Sequence, residues 1–362
     1  MKKLRPTSWL NNIPAYVPGT SKDTIIKRFG ISDPIKLASN ENPLGPSPEA
    51  LKALDSIKHD VHLYPDPDAV DLRKAAAAFF GCAAEHIIAG NGSDEIIDFV
   101  CRAYIEPGDE VIIPDCTFSY YKIASLACGA QIIMTGMKNH AIDITDIERH
   151  IREKTKAVFI ANPNNPTGTC LGKEEILHLA ERIPSHILLV IDEAYAAFVR
   201  NHDFLSAVSL IEEHENLVSI HTLSKSHGLA GMRVGFGIAG SPVMENLYRI
   251  KPPFNVNLPA LKAGEAALND NAFLRQTLDN TWNELDYLYE ELGRLGLEYV
   301  PSQTNFVLIR IGTEACGVYE ELLKKGIITR YMASYGLDDY IRVSIGLAKE
   351  NQAFIKHLEK IL

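Results

Sequence analysis

Ile187-Leu188-Leu189-Val190-Ile191-Asp192-Glu193-Ala194-Tyr195 sets five apolar residues in a row directly before a carboxylate. Such a run predicts a strand buried on both faces, with Asp192 at its carboxyl end. Similar runs lie on either side: His86-Ile87-Ile88-Ala89, Glu110-Val111-Ile112-Ile113, Gln131-Ile132-Ile133-Met134 and Ala157-Val158-Phe159-Ile160 before it, Leu217-Val218-Ser219-Ile220 and Val234-Gly235-Phe236-Gly237-Ile238 after it. Loops with Gly, Asn or Pro and helical stretches separate them. That alternation implies an α/β fold with a mostly parallel sheet covered by helices on both faces. The last two runs stand too close for a crossover of about a dozen residues, so the final strand is expected to be antiparallel and the sheet mixed.

Further along, Leu261, Ala267, Leu268, Leu274, Leu278, Trp282, Leu285 and Leu288 recur near helical spacing, which predicts one long helix over about 258–295. Thr304-Asn305-Phe306-Val307-Leu308-Ile309 and Tyr340-Ile341-Arg342-Val343-Ser344-Ile345 read as strands around a helix near 314–325. The expected division is a large domain over 36–262 and a smaller α+β domain built from 1–35 and 263–362, connected by the long helix.

The 362 residues carry a formal net charge of −10, which argues against gripping nucleic acid through the overall field. Met1-Lys2-Lys3-Leu4-Arg5 leads into Pro6 and Trp9 with no apolar core of a signal peptide. No stretch approaches the roughly 20 apolar residues that span a bilayer. The expected location is the cytoplasm, with no membrane partner. The six cysteines are scattered without a C-x-x-C pair and read as buried or half-buried thiols. The twelve histidines form no H-E-x-x-H pattern, so no metal is expected.

Four groups follow predicted strands. Gly90-Asn91-Gly92-Ser93-Asp94 opens a helix, whose free first-turn N–H groups make an anion site that glycine lets a ligand approach. Alone, the stretch reads more readily as an ordinary turn and cap, since many strand–helix turns contain Gly. Asp192 sits where open α/β sheets place ligands, and its desolvation demands a partner; a structural cap on the next helix or a metal ligand is the alternative. Thr222-Leu223-Ser224-Lys225, with Arg233 eight residues on, sets a lysine among hydroxyls just past a buried strand. Lysine is seldom buried without cause and forms Schiff bases with carbonyl cofactors; otherwise it is a solvated loop residue. Asn162-Pro163-Asn164-Asn165-Pro166-Thr167-Gly168 fixes a tight loop that presents Asn165 above the sheet, or is simply a turn. Convergence decides between these readings. An anion site, a carboxylate, a phenol, an amide, a lysine and an arginine at strand ends are the set that pyridoxal 5'-phosphate calls for.

From about Tyr16 to the C-terminus the sequence resembles the fold-type-I aminotransferases and, within them, the histidinol-phosphate aminotransferases. The markers are Leu37-Ala38-Ser39-Asn40-Glu41-Asn42-Pro43, Leu63-Tyr64-Pro65, Asn91-Gly92-Ser93-Asp94-Glu95, Asn164-Asn165-Pro166-Thr167-Gly168, Asp192-Glu193-Ala194-Tyr195, Ser224-Lys225 with Arg233, and Tyr340-Ile341-Arg342-Val343. The resemblance implies that the 36–262 domain binds pyridoxal phosphate and that Lys225 carries it as a Schiff base, later moving the substrate proton. Asp192 is expected to pair with the pyridine nitrogen, Tyr195 and Asn165 to hydrogen-bond the ring's phenolic oxygen, and Phe118 to stack on the ring. Backbone donors of Gly92, Ser93 and Asp94, with Thr222, Ser224 and Arg233, are expected to hold the phosphate. Tyr64 is expected to reach the cofactor of a neighbouring subunit, which makes a homodimer with shared active sites part of the expectation. Ser226-His227 and Asp115-Cys116-Thr117 depart from the family's usual residues.

The same resemblance points to amino-group exchange between L-histidinol phosphate and 2-oxoglutarate, in histidine biosynthesis. Arg342 matches the arginine that grips a substrate carboxylate through its planar fork. Arg330 resembles a second arginine near the substrate phosphate, and Tyr16, Tyr64 and Asn165 complete the substrate set. The rivals are an aromatic amino-acid aminotransferase on the same frame and a lyase of the threonine-phosphate decarboxylase type, which releases carbon dioxide without an oxo-acid acceptor. A cofactor-binding regulator on this fold would need the basic footprint of a DNA binder, and a nicotinamide oxidoreductase its glycine fingerprint; the sequence carries neither.

Overall fold

The computed structural model describes residues 4–13 and 19–362. Seven strands form the central sheet. From edge to edge they are Ile87–Asn91, Val234–Ala239, Leu217–Thr222, Leu188–Asp192, Thr155–Ala161, Glu110–Pro114 and Gln131–Thr135. All pair in parallel except Val234–Ala239, which runs antiparallel to both neighbours, as the short connection before it requires. Period-two alternation explains why the runs are apolar throughout. Ile87, Ile112, Val158, Ile160, Leu189 and Ile191 belong to the core on one face, and Ile88, Val111, Ile113, Phe159, Val190 and Val218 to the core on the other.

Every parallel strand ends on the same side, and the antiparallel strand begins there: Val234 lies opposite Asn91, and Gly235 opposite Thr222. Arg233 therefore joins Asp192 and Lys225 at one rim although it precedes its strand rather than following it. Gly235 also lets a helix come close, since a Cβ there would stand 2.3 Å from Ser93 N. The helix Ser93–Tyr104 is thereby seated with its N-terminus over this rim.

The smaller sheet has four antiparallel strands in the order Glu298–Val300, Phe306–Arg310, Tyr340–Ser344 and Arg330–Tyr331. Its core takes in Leu285, Leu288, Val307, Ile341, Val343 and Phe354. Ile35–Lys36 pairs with Ile327–Ile328, and Ile25 of the helix Lys22–Phe29 packs with Leu323 and Ile328. The opening residues are placed differently: Trp9 Nε1 donates to Ala127 O at 3.0 Å, so this segment lies on the helix Tyr120–Ala127 beside the large sheet.

The stretch expected as one long helix is two, Leu258–Leu268 and Asn271–Arg294. Asp270 breaks it, its carboxylate accepting from Phe273 N at 3.0 Å as the cap of the second helix. Of the cysteines, Cys316 is exposed; the other five are buried or half-buried. Among the described residues, no helix is long and apolar enough to cross a membrane.

Candidate active site

A cavity of about 240 Å³ opens at the rim between the two sheets. Ser93, Asp94, Phe118, Asn165, Asp192, Tyr195, Thr222, Ser224, Lys225, Arg233, Arg330 and Arg342 all line it. Of the other expected residues, Gly92 sits just behind the wall. A Cβ there would come within 2.4 Å of Arg233 Nη2, so only glycine lets the guanidinium lie against this turn. Tyr64 is 83% exposed and stacks on Phe254 at 4.7 Å, away from the cavity. Tyr16 lies outside the described residues.

Asp192 is buried at its strand end. Ala194 N donates to Oδ1 at 3.0 Å and Tyr121 Oη–H to Oδ2 at 2.7 Å. Burial pushes its carboxyl up to about 6, against the pull of those two hydrogen bonds. Glu193, the next residue, turns to the opposite face. There it accepts from Ser206 Oγ at 2.6 Å, Ala207 N at 2.9 Å and Ser219 Oγ at 2.9 Å, and so holds the sheet's other side.

Lys225 is half-buried, and its Nζ donates to Ser39 O at 3.2 Å. Burial and then the neighbouring Arg342 charge bring the ammonium down to about 8. That value lets it exchange a proton near neutrality, as a general acid–base must. Its Nζ stands 5.9 Å from the centre of the Tyr195 ring. Tyr195 accepts from Asn40 Nδ2 at 2.9 Å, and burial raises its phenol against the opposing pull of Arg342 and Asn40.

The anion cradle is assembled from three elements. The helix Ser93–Tyr104 has no capping side chain at Gly92, so its first-turn amides have no side-chain acceptor. Ser224 N donates to Thr222 Oγ1 at 3.1 Å, and Thr222 Oγ1–H to Ser224 Oγ at 2.9 Å, which sets both hydroxyls side by side. Arg233 takes a left-handed φ of +60° to turn back over them, donating to Ser224 Oγ at 3.4 Å and pairing with Asp94 at 3.1 Å. The Asp94 carboxylate thus occupies part of the guanidinium, and only its backbone N–H belongs to the cradle's donor set.

At the other wall, Arg342 Nη2 donates to Ala38 O at 2.9 Å and Nη1 to Asn165 Oδ1. Arg330 lies directly opposite Arg342 on the neighbouring strand. That register sets two arginines side by side on one face of the small sheet, toward the cavity that both line. Phe118 is held from behind: Thr117 Oγ1 donates to Asn164 Oδ1 at 2.7 Å, tying its loop to the Asn-Pro loop. Tyr121, Asn40 and Ser39 received no role from the sequence. Tyr121 is not singled out there, and Ser39 and Asn40 stand only within a family marker.

The chemistry of this donor set fits pyridoxal phosphate: an amine, an acidic partner in a dry pocket, and an uncapped helix end with hydroxyls and a cation. The comparisons agree. The model of the family "Aminotransferase class I and II" matches residues 32–358. A histidinol-phosphate aminotransferase of Moorella thermoacetica is 39% identical over 97% of this chain and 91% of its own length. Histidinol-phosphate aminotransferase 1 of Thiobacillus denitrificans is 41% identical over the same shares, 97% and 91%. The crystal structure of histidinol-phosphate aminotransferase from Sinorhizobium meliloti in complex with pyridoxal-5'-phosphate superposes with a TM-score of 0.91 at 25% identity, covering 99% of this chain and 98% of that one. With a family match over most of its length and a rim that gathers the matching side chains, this chain belongs to the class I and II aminotransferases.

Proposed function

We propose that the protein is a pyridoxal-phosphate-dependent aminotransferase that exchanges an amino group between L-histidinol phosphate and 2-oxoglutarate. The observation that carries the substrate is the pair Arg330 and Arg342, opposed in register on one cavity wall. Such a pair suits a substrate ending in phosphate or carboxylate, and both half-reactions bring one. When bound, the cofactor supplies an electron sink for the bond broken at the substrate's amino-bearing carbon. Lys225 would hold the cofactor through its amine and, once released, would carry the proton from that carbon. Asp192 would offer a negative charge to the ring nitrogen, Tyr195 and Asn165 would hydrogen-bond the phenolic oxygen, and Phe118 would cover the ring. Gly92, Ser93 and Asp94 offer backbone N–H groups to the phosphate, joined by Thr222, Ser224 and Arg233.

We assign 36–262 as one domain and 263–362, joined by the helix Lys22–Phe29, as the other; the described opening residues about Trp9 go with the first. We assign Tyr64, exposed on this chain, and Tyr16 to the substrate and cofactor of a homodimer with shared sites, and place the enzyme in the cytoplasm.

Two expectations follow from these assignments. Arg342→Lys removes the fork but keeps the charge; KM for 2-oxoglutarate is expected to rise about 30- to 100-fold with a smaller fall in kcat, as loss of a bidentate charged pair predicts. Steady-state kinetics checks it. Tyr121→Phe deletes the donor at Asp192 Oδ2. That hydrogen bond favours the ionised form, so its loss raises the folded-state pKa of Asp192 above about 6. Cofactor affinity, which needs the carboxylate, is lost as pH falls through that value. The variant's acid limb is expected about one pH unit higher, as fits a hydrogen bond to a charged group. Cofactor titrations between pH 5 and 8 measure it.

The functional reading is tested by comparing amino donors: L-histidinol phosphate, L-phenylalanine and L-threonine phosphate, each as sole donor. Much faster conversion of histidinol phosphate supports it. Preference for phenylalanine, or carbon dioxide from threonine phosphate, overturns the substrate.

A further inference from the structure

Asn40 has no hydrogen bond to the proposed lysine or the anion cradle, yet it joins the two sheets. It is 2% exposed and has a left-handed φ of +55°, a conformation asparagine adopts more readily than other side chains and that contacts from both sheets hold here. The holding contacts come from the small unit. Asn40 N donates to Ser344 Oγ at 2.8 Å, and that hydroxyl gives its own proton to Asn40 Oδ1 at 2.8 Å. Asn305 Nδ2 donates to Asn40 O at 3.0 Å.

These partners decide which way the side-chain amide faces. With the serine proton committed to Oδ1, the NH₂ end is the one that meets Tyr195, donating to its oxygen at 2.9 Å. A phenol oxygen that already accepts from an amide directs its own proton elsewhere, and Tyr195 lines the cavity. Ser344 and Arg342 are two residues apart on the strand Tyr340–Ser344 and therefore share one face. The strand that anchors the amide thus also carries an arginine of the cavity wall.

We propose that Asn40 is a positioning residue: it aims the Tyr195 hydroxyl into the cavity as a donor and ties that aim to the strand carrying Arg342. The inference rests on the functional reading above, in which Tyr195 gives that proton to the cofactor's phenolic oxygen. The other charged groups facing the phenol are Arg342 and Asp192, with the Lys225 ammonium 5.9 Å from the ring centre.

The test is a pH titration of the absorbance of the bound cofactor in the full-length enzyme, comparing wild type with Asn40→Asp and Ser344→Ala. Asn40→Asp keeps the shape but presents a carboxylate oxygen that takes the phenolic proton for itself. Ser344→Ala adds no charge; it frees Oδ1, so the amide turns and accepts from the phenol. A donor to the ionised chromophore lowers its pKa, and both variants lose that donor, so each is expected to titrate about one pH unit higher. If Asn40→Asp does not fold, Ser344→Ala decides alone. A shift in Asn40→Asp with Ser344→Ala unmoved is a charge effect and overturns the inference, as does no shift in either. A wild-type chain that develops no cofactor absorbance overturns the functional reading and the inference with it; a normal wild-type titration with unmoved variants overturns the inference alone.

Discussion

Lys225→Ala is expected to cut turnover by about 10⁴-fold or more, the largest effect of any single substitution in the cavity. In the proposed function the residue combines two tasks that are each worth orders of magnitude, covalent attachment and proton transfer. No other lysine among the described residues lines the cavity. Its amine already points inward, on Ser39 O at 3.2 Å, and burial brings it down to about 8, so it gives up and regains a proton at working pH. The phosphate cradle does not involve the Lys225 side chain, so the variant is expected to bind the cofactor without the covalent bond. A small amine such as methylamine should restore part of the rate by standing in for the missing proton carrier. Borohydride reduction of the wild type followed by peptide mapping should find the cofactor on Lys225 and nowhere else. A variant retaining more than about one hundredth of the activity would contradict the assignment.

Asp192→Asn is expected to lower kcat by about 10²–10³-fold, the range for deleting one preorganised electrostatic partner of a transition state. Asparagine keeps the size of the side chain and a carbonyl oxygen for Ala194 N or Tyr121 Oη–H, but carries no charge to hold a cationic ring nitrogen. The pH dependence separates this from a packing defect. In the wild type, burial leaves Asp192 titrating at about 6, so cofactor affinity falls as pH drops through that value. In the variant that limb should disappear, leaving weak affinity that is flat across it. Spectroscopic titration of the cofactor at several pH values checks both points. Unchanged kcat, or a persisting acid limb near pH 6, would show that another group supplies the charge.

The sequence made the large sheet legible because its strands are short and apolar on both faces, and because glycine, asparagine and proline punctuate them. Even the reversed strand followed from arithmetic on the Leu217–Ile220 and Val234–Ile238 spacing. The helix break at Asp270 was not legible, since a polar capping residue between two apolar stretches looks like any exposed helical position. The site divides in the same way. Asp192, Lys225, Asn165 and the Gly92 turn follow strand ends directly, so local reading reaches them. Tyr121 and Asn40 act on partners 71 and 155 residues away, and only the folded chain shows that Tyr121 meets Asp192 and Asn40 meets Tyr195. Arg330 and Arg342 could each be singled out, but their opposition in register depends on a strand pairing that neither stretch announces.

The most direct test follows the nitrogen atom. Purified enzyme with pyridoxal phosphate is mixed with ¹⁵N-labelled L-histidinol phosphate and 2-oxoglutarate, and the products are read by NMR and mass spectrometry. The expected products are ¹⁵N-glutamate and imidazole acetol phosphate in equal amounts, with no labelled ammonia. Label released as ammonia, or labelled substrate left intact while L-phenylalanine is converted under the same conditions, would contradict the proposed function.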